Sequence, residues 1–158
     1  KGTRSERVSS EVSELVNKAV REFKRQSGER VEVWVPQEQP VYIIVNPLEF
    51  ELVIINLLRN AAQALQELGV LNPKVALTIK REDNKALIAI EDNGHIEKEK
   101  IEKLLEPTNS TKADGLGLGL QIVRSIIENH GGKIFFSQAA SGGLRVEIRL
   151  PAEETTEQ

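Results

Sequence analysis

The sequence predicts an α/β (α+β) two-layer sandwich, a mixed, mostly antiparallel sheet with about three main helices packed on one face. Three observations carry that expectation. Strand-like alternating runs come in adjacent pairs, within residues 31–45, 74–92 and 133–150. Segments with helical periodicity separate these pairs. Single strands do not alternate with helices, as a doubly wound parallel sheet requires.

The first helix is read from Val12, Leu15, Val16, Ala19, Val20 and Phe23, which recur at helical spacing behind Ser9 and Ser10, either of which suits the N-cap. Val31, Val33 and Val35 alternate as a strand, and residues 41–45 form a second one beyond Pro36 and Pro40, so the two are expected to pair as a hairpin. Asn46 and Pro47 open the longest helix, a cap residue followed by a proline at the first helical position. Its apolar stripe runs through Phe50, Val53, Leu57, Ala61, Ala64 and Leu68 to Gly69. Residues 74–81 and 85–92 alternate around a Glu82-Asp83-Asn84 turn. A short charged helix is expected over 97–105, an irregular segment over 106–119, and a helix over 120–129 with Ile122, Val123, Ile126 and Ile127 on its apolar side. Residues 133–137 and 144–150 are the last strands, joined through Gly142-Gly143.

At 158 residues the chain suits one domain with a real core. A net charge of −3 gives no support to a nucleic-acid surface. There is no Cys, which excludes disulfides and thiolate metal sites and fits a cytoplasmic setting. No apolar run approaches the roughly 20 residues of a membrane helix, so no membrane contact is expected of this segment. Met is absent even at position 1, as expected of a piece cut from a longer protein that is anchored, if at all, elsewhere. Residues 1–8 are expected to be a linker from an upstream domain, 9–151 the folded domain, and 152–158 a flexible tail.

Three constellations carry chemistry. Asn56 and Asn60 lie four residues apart on one face of an otherwise apolar helix. Buried amides need partners; theirs are either backbone groups at a helix–sheet contact, or a hard cation and phosphates. Asp92-Asn93-Gly94 ends a strand, as an ordinary Asn-Gly turn or as a carboxylate set to accept a hydrogen bond from a ligand. Residues 115–120 read Gly-Leu-Gly-Leu-Gly-Leu directly before a helix. Such a run serves either as a flexible connection or as a cradle whose bare backbone N–H groups and helix N-terminus attract an anion. Lys112 at its lip is a surface lysine or a point charge on phosphate.

Together and in this order the three resemble the ATP-binding catalytic domain of sensor histidine kinases, of the superfamily shared with gyrase B, the heat-shock protein 90 chaperones and the mismatch-repair ATPases. Asn-Leu-Leu-Arg-Asn-Ala-Ala (56–62) resembles the N box, Asp92-Asn93-Gly94 the G1 box, and the glycine run with the helix behind it the G2 box. Gly142-Gly143, before a strand ending at Leu150-Pro151, is similar to the family's last hairpin. The resemblance covers residues 9–151. It implies ATP and Mg²⁺ as ligands, Asn60 as the metal-binding amide with Asn56 beside it, Asp92 accepting from the adenine amino group, and Gly94 permitting close approach of the base. The backbone of Gly117, Leu118 and Gly119 would hold phosphates, residues 106–116 with Gly115 would be a lid, and Lys112 would reach the phosphates from it. The superfamily's ATPases carry a general-base Glu four residues before the metal-binding Asn. Here that position is Asn56, which favours transfer to a protein acceptor over hydrolysis.

In the family the acceptor is a histidine on a separate dimerisation domain, and a response regulator receives the phosphoryl group later. Of the two histidines here, His130 is read as structural and His95 as a loop residue without an acceptor's surroundings. The chain departs from the family at the G1 box, which lacks its second glycine. It departs again at the lid, where Glu106-Pro107 stands without phenylalanines, and after Gly143, where Leu144 replaces a threonine. These departures keep two alternatives in view: a nucleotide-binding regulatory module without transfer, and a serine kinase of the anti-sigma type.

Overall fold

The computed structural model describes residues 6–28, 30–36, 39–104 and 116–154. In chain order the elements are β1 (Val8–Glu11), α1 (Val12–Ser27), β2 (Glu32–Trp34), β3 (Tyr42–Val45), α2 (Pro47–Leu68), β4 (Lys74–Glu82), β5 (Lys85–Asp92), α3 (Lys98–Leu104), α4 (Leu116–Asn129), β6 (Lys133–Gln138) and β7 (Leu144–Pro151). Five strands form one sheet in the order β2-β4-β5-β7-β6, parallel only between β2 and β4. Helix α2 packs against both α1 and α4, and α2 and α4 also meet the sheet. The expected two-layer sandwich is the observed fold.

Cross-strand register divides the sheet into two faces. Leu77, Ile88 and Ile148 are fully buried, and with Val75, Ile79, Ile90, Val146 and Leu150 they line the helix side. The opposite side carries a charged row in which Arg145 bridges Glu91 at 2.6 Å and Glu147 at 3.0 Å, while Arg149 lies 4.3 Å over the Phe135 ring. Helix α2 is central, burying Ile54, Leu58 and Leu65 as well as the predicted Phe50, Val53, Leu57 and Ala61. Asn46 caps it as expected, its side chain accepting from the Glu49 N–H at 2.9 Å.

Four local expectations are corrected. Ser9 and Ser10 do not cap α1. They belong to β1, which pairs antiparallel with β3, and the strand runs straight into the helix with Glu11 at the N-cap. The Val12 N–H is satisfied by the Val41 carbonyl instead, at 2.9 Å. Nor do β2 and β3 form a hairpin. Pro36 and Pro40 in their connection supply no ladder donors, and β2 takes an outer place beside β4 with Val33 opposite Val75. Helix α4 begins at Leu116, not 120, so Gly117 and Gly119 lie in its first turn. Lastly, Leu68 is 53% exposed at the end of the predicted stripe.

His130 has the structural role expected of it. Its buried ring accepts from the Asn46 N–H at Nε2, 3.2 Å, and donates from Nδ1 to the Ile126 carbonyl at 2.8 Å. The accepting Nε2 requires a neutral ring protonated at Nδ1. It ties the start of α2 to the end of α4.

Candidate functional site

The alternation that buries Ala86, Ile88 and Ile90 on the helix side of β5 puts residue 92 on the same side. Asp92 therefore ends the strand as a carboxylate only 7% exposed. Burial pushes its carboxyl above the ordinary aspartate range, against the opposing effect of hydrogen bonds from the backbone N–H groups of Gly94 and Leu144. The Gly94 bond to Oδ1 is 2.9 Å. Asn93 points elsewhere: its amide accepts from the Lys74 N–H and donates to the Asn72 carbonyl, tying the end of β5 to the start of β4.

Asn56 and Asn60 share the α2 face that meets the first turn of α4. A Cβ built on Gly119 would stand 3.4 Å from Asn56 Oδ1, 3.8 Å from Asn60 Oδ1 and 4.0 Å from Asn60 Nδ2. Glycine at 119 thus lets the backbone of α4 approach both amides. Asn56 donates from Nδ2 to the Leu52 carbonyl at 3.0 Å, which leaves its Oδ1 towards Gly119. Asn60 Nδ2 is buried with no hydrogen-bond partner among the described residues. An orphaned buried donor costs about 1–3 kcal/mol, so a ligand oxygen beside it would be stabilising.

A cavity of about 180 Å³ connects Asn60 to Asp92. Asn60 and Asp92 are among its polar walls, and Leu57, Ala61, Ile90, Leu120, Leu144 and Val146 among its apolar ones. Whole-ligand clefts run to roughly 300–1,000 Å³, so this cavity takes part of a ligand. A larger cavity of about 410 Å³ lies on the other side of α2 and contains none of these functional groups.

The structure thus sets Asn60 and Asp92 in the wall of one cavity, with Gly94 bonded to Asp92, Gly119 close to Asn56 and Asn60, and Gly117 and Leu118 in the adjoining helical turn. Lys112, Gly115 and the expected lid up to residue 115 lie outside the described residues. Sequence reasoning missed three contributors. A Cβ on Gly143 would stand 2.2 Å from the Asp92 backbone oxygen, so the turn before β7 reaches Asp92 only as glycine. His95 and Glu67 also line the cavity. The signal for His95 was its place three residues beyond Asp92 in the same loop.

The residues present fit a magnesium nucleotide. Asn60 offers an amide donor with no partner among the described residues, Asn56 offers an amide oxygen, and both adjoin the first turn of α4 at Gly119. No cluster of three carboxylate or histidine ligands occurs among the described residues. Mg²⁺ held by one or two protein oxygens plus substrate phosphates needs none.

Comparisons with known proteins place the chain in a family. The family described as "Histidine kinase-, DNA gyrase B-, and HSP90-like ATPase" matches residues 45–154. The sensor protein TdiS of Thauera aromatica is 38% identical over 110 residues, covering 66% of this chain and 20% of that protein. Sporulation kinase B of Bacillus subtilis (strain 168) is 34% identical over 125 residues, covering 78% of this chain and 28% of that protein. The chain therefore spans about a quarter of the length of these curated relatives. Among solved structures, the nucleotide-free catalytic domain of histidine kinase ThkA superimposes with a TM-score of 0.77 at 27% identity, covering 92% of this chain and 95% of that one.

Proposed function

This chain belongs to the histidine kinase-, DNA gyrase B- and HSP90-like ATPase family, and from that premise we propose that it is the catalytic part of a sensor histidine kinase. It binds ATP with Mg²⁺ and passes the γ-phosphoryl group to a histidine on a separate dimerisation domain, from which a response regulator takes it. The relatives above are sensor and sporulation kinases, which favours neither an anti-sigma-type serine kinase nor a regulatory module without transfer.

The observation that carries the reading is Asn56. It occupies the place where the family's ATPases keep a glutamate, and its amide is engaged with the Leu52 carbonyl. An amide takes no proton from water. Water attack is thus not promoted, and the γ-phosphoryl awaits a nucleophile from another domain.

The other residues divide the work of binding. Asp92, oriented by the Gly94 and Leu144 N–H groups, accepts from the exocyclic amino group of adenine. Gly94 leaves room for the base edge, since a Cβ there would crowd Leu65, Leu68 and Asp92 Oδ1 at 3.0–3.2 Å. Asn60 offers its carbonyl oxygen to the metal and its unpartnered Nδ2 to a phosphate oxygen. Bare N–H groups of Gly117, Leu118 and Gly119 in the first turn of α4 hold phosphates, with Gly115 as the hinge and Lys112 as a further contact. Asn60 would hold Mg²⁺, which would neutralise charge developing on the phosphates in transfer.

An extended chain that includes an upstream histidine-bearing helix, incubated with γ-labelled ATP and Mg²⁺, tests the reading. Acid-labile, alkali-stable label is expected, and Asn60→Ala should reduce it at least about 100-fold, as loss of an electrostatic contact to a transferring group does. Nucleotide binding by this chain without any label transfer in the extended protein would overturn it.

A further inference from the structure

His95 belongs to none of the roles assigned so far. It is, however, the one aromatic ring among the described residues that line the cavity beside Asp92. The ring is held from two sides. Its Nε2 lies 3.1 Å from Glu97 Oε2, and its Nδ1 lies 3.4 Å from where a Cβ on Gly142 would stand, close against the turn that precedes β7. The loop beneath it is also tied down. The Ile96 N–H donates to the Gly142 carbonyl at 3.0 Å, and Gln138 Nε2 donates to the Ile96 carbonyl at 2.8 Å. An aromatic ring on an anchored loop, beside a carboxylate suited to an amino-substituted base, is a platform for stacking.

We infer that His95 is a nucleobase-contacting residue, its ring packing against the purine that Asp92 recognises, and that it sets how tightly this chain holds its nucleotide. The inference rests on the nucleotide-site reading above. It goes beyond it by giving the position of the missing second glycine's loop a binding role. Its rival is that His95 serves only its pair with Glu97. Both side chains are mostly exposed, 61% and 72%, and a pair of that kind contributes about 0–1 kcal/mol to stability and nothing to base recognition.

Dissociation constants for ADP and for inorganic tripolyphosphate, both with Mg²⁺, distinguish the two. His95→Gly and His95→Gln should weaken ADP about five- to 150-fold, the range for losing one base–aromatic stack, and leave tripolyphosphate unchanged. His95→Phe, which restores a flat face, should bind ADP within about twofold of the parent. Gln keeps a partner for Glu97 without an aromatic ring, so loss of that pair alone would spare the Gln variant. Equal ADP affinity in the parent and the Gly variant would overturn the inference. So would equal weakening of ADP and tripolyphosphate. Failure of the parent itself to bind either ligand would instead remove the nucleotide-site reading, and this inference with it.

Discussion

Asp92 occupies a position where its strand otherwise buries isoleucine. Burial disfavours its charged form, so the carboxyl titrates above the ordinary aspartate range in the folded chain. Between the ordinary pKa and that raised one, the folded state holds more protons than the unfolded state. Stability therefore falls as pH rises through the window, and above it the charged carboxylate costs stability in full. Asp92→Asn removes that cost, and its amide oxygen still accepts from Gly94. The ligand-free variant is expected to be at least as stable as the parent at neutral pH, with the difference shrinking on acidification. Adenine-nucleotide affinity should drop by about 1.5–3 kcal/mol, the worth of a hydrogen bond to a charged group. Denaturant unfolding at two pH values, together with nucleotide titration, checks both halves; a variant less stable by more than about 1 kcal/mol at pH 7 contradicts the argument. The residue itself was legible, because a carboxylate followed by Asn-Gly at the end of an apolar strand is conspicuous. Its depth was not, since burial there depends on Gly143 and Leu144 arriving from a hairpin more than 50 residues away.

At the level of elements, helices were legible wherever one face was continuously apolar, as in α1 and α2, and hairpins wherever a single turn separated two alternating runs, as in β4–β5. Errors arose where partners are distant in sequence. Nothing in residues 31–45 shows that β2 joins β4 while β3 pairs with a strand before α1. The glycine run looked non-helical because glycine is a poor helix former. Tertiary contact overrides that, since Gly119 is what lets α4 close on Asn56 and Asn60. The turn before β7 is the other close approach. Gly143→Ala would drive a methyl group into the Asp92 carbonyl, 2.2 Å from the ideal Cβ position, and that neighbour is backbone. Such overpacking costs about 1–3 kcal/mol. Displacement of the turn should also weaken nucleotide binding, because Leu144 donates to Asp92 from the next residue. Unfolding free energies and ADP titration on the same variant provide the check; unchanged affinity would mean that the turn only supports the sheet.

Over the whole molecule, the site draws its groups from both layers. The sheet contributes Asp92, α2 contributes the amides, α4 contributes a helix N-terminus, and His130 ties α2 to α4 at the end remote from the amides. Without a ligand, the meeting of these layers leaves a buried amide donor unsatisfied. A ligand that completes it binds only the folded state and must stabilise the entire domain. At a nucleotide concentration 100-fold above the dissociation constant the gain is about 2.7 kcal/mol, which for a chain of this size raises the melting temperature by roughly 5–10 °C. If Asn60 holds the metal, much of that rise should need Mg²⁺ and should shrink when a chelator replaces it. Asn60→Ala should remove the difference between the two conditions while keeping whatever the base contributes through Asp92. Thermal unfolding of the parent and the variant with ADP, in Mg²⁺ and in chelator, therefore separates the metal-dependent half of the site from the base-dependent half. A parent whose melting rises equally in both conditions would place the metal away from Asn60, and would leave its buried Nδ2 to the phosphate alone.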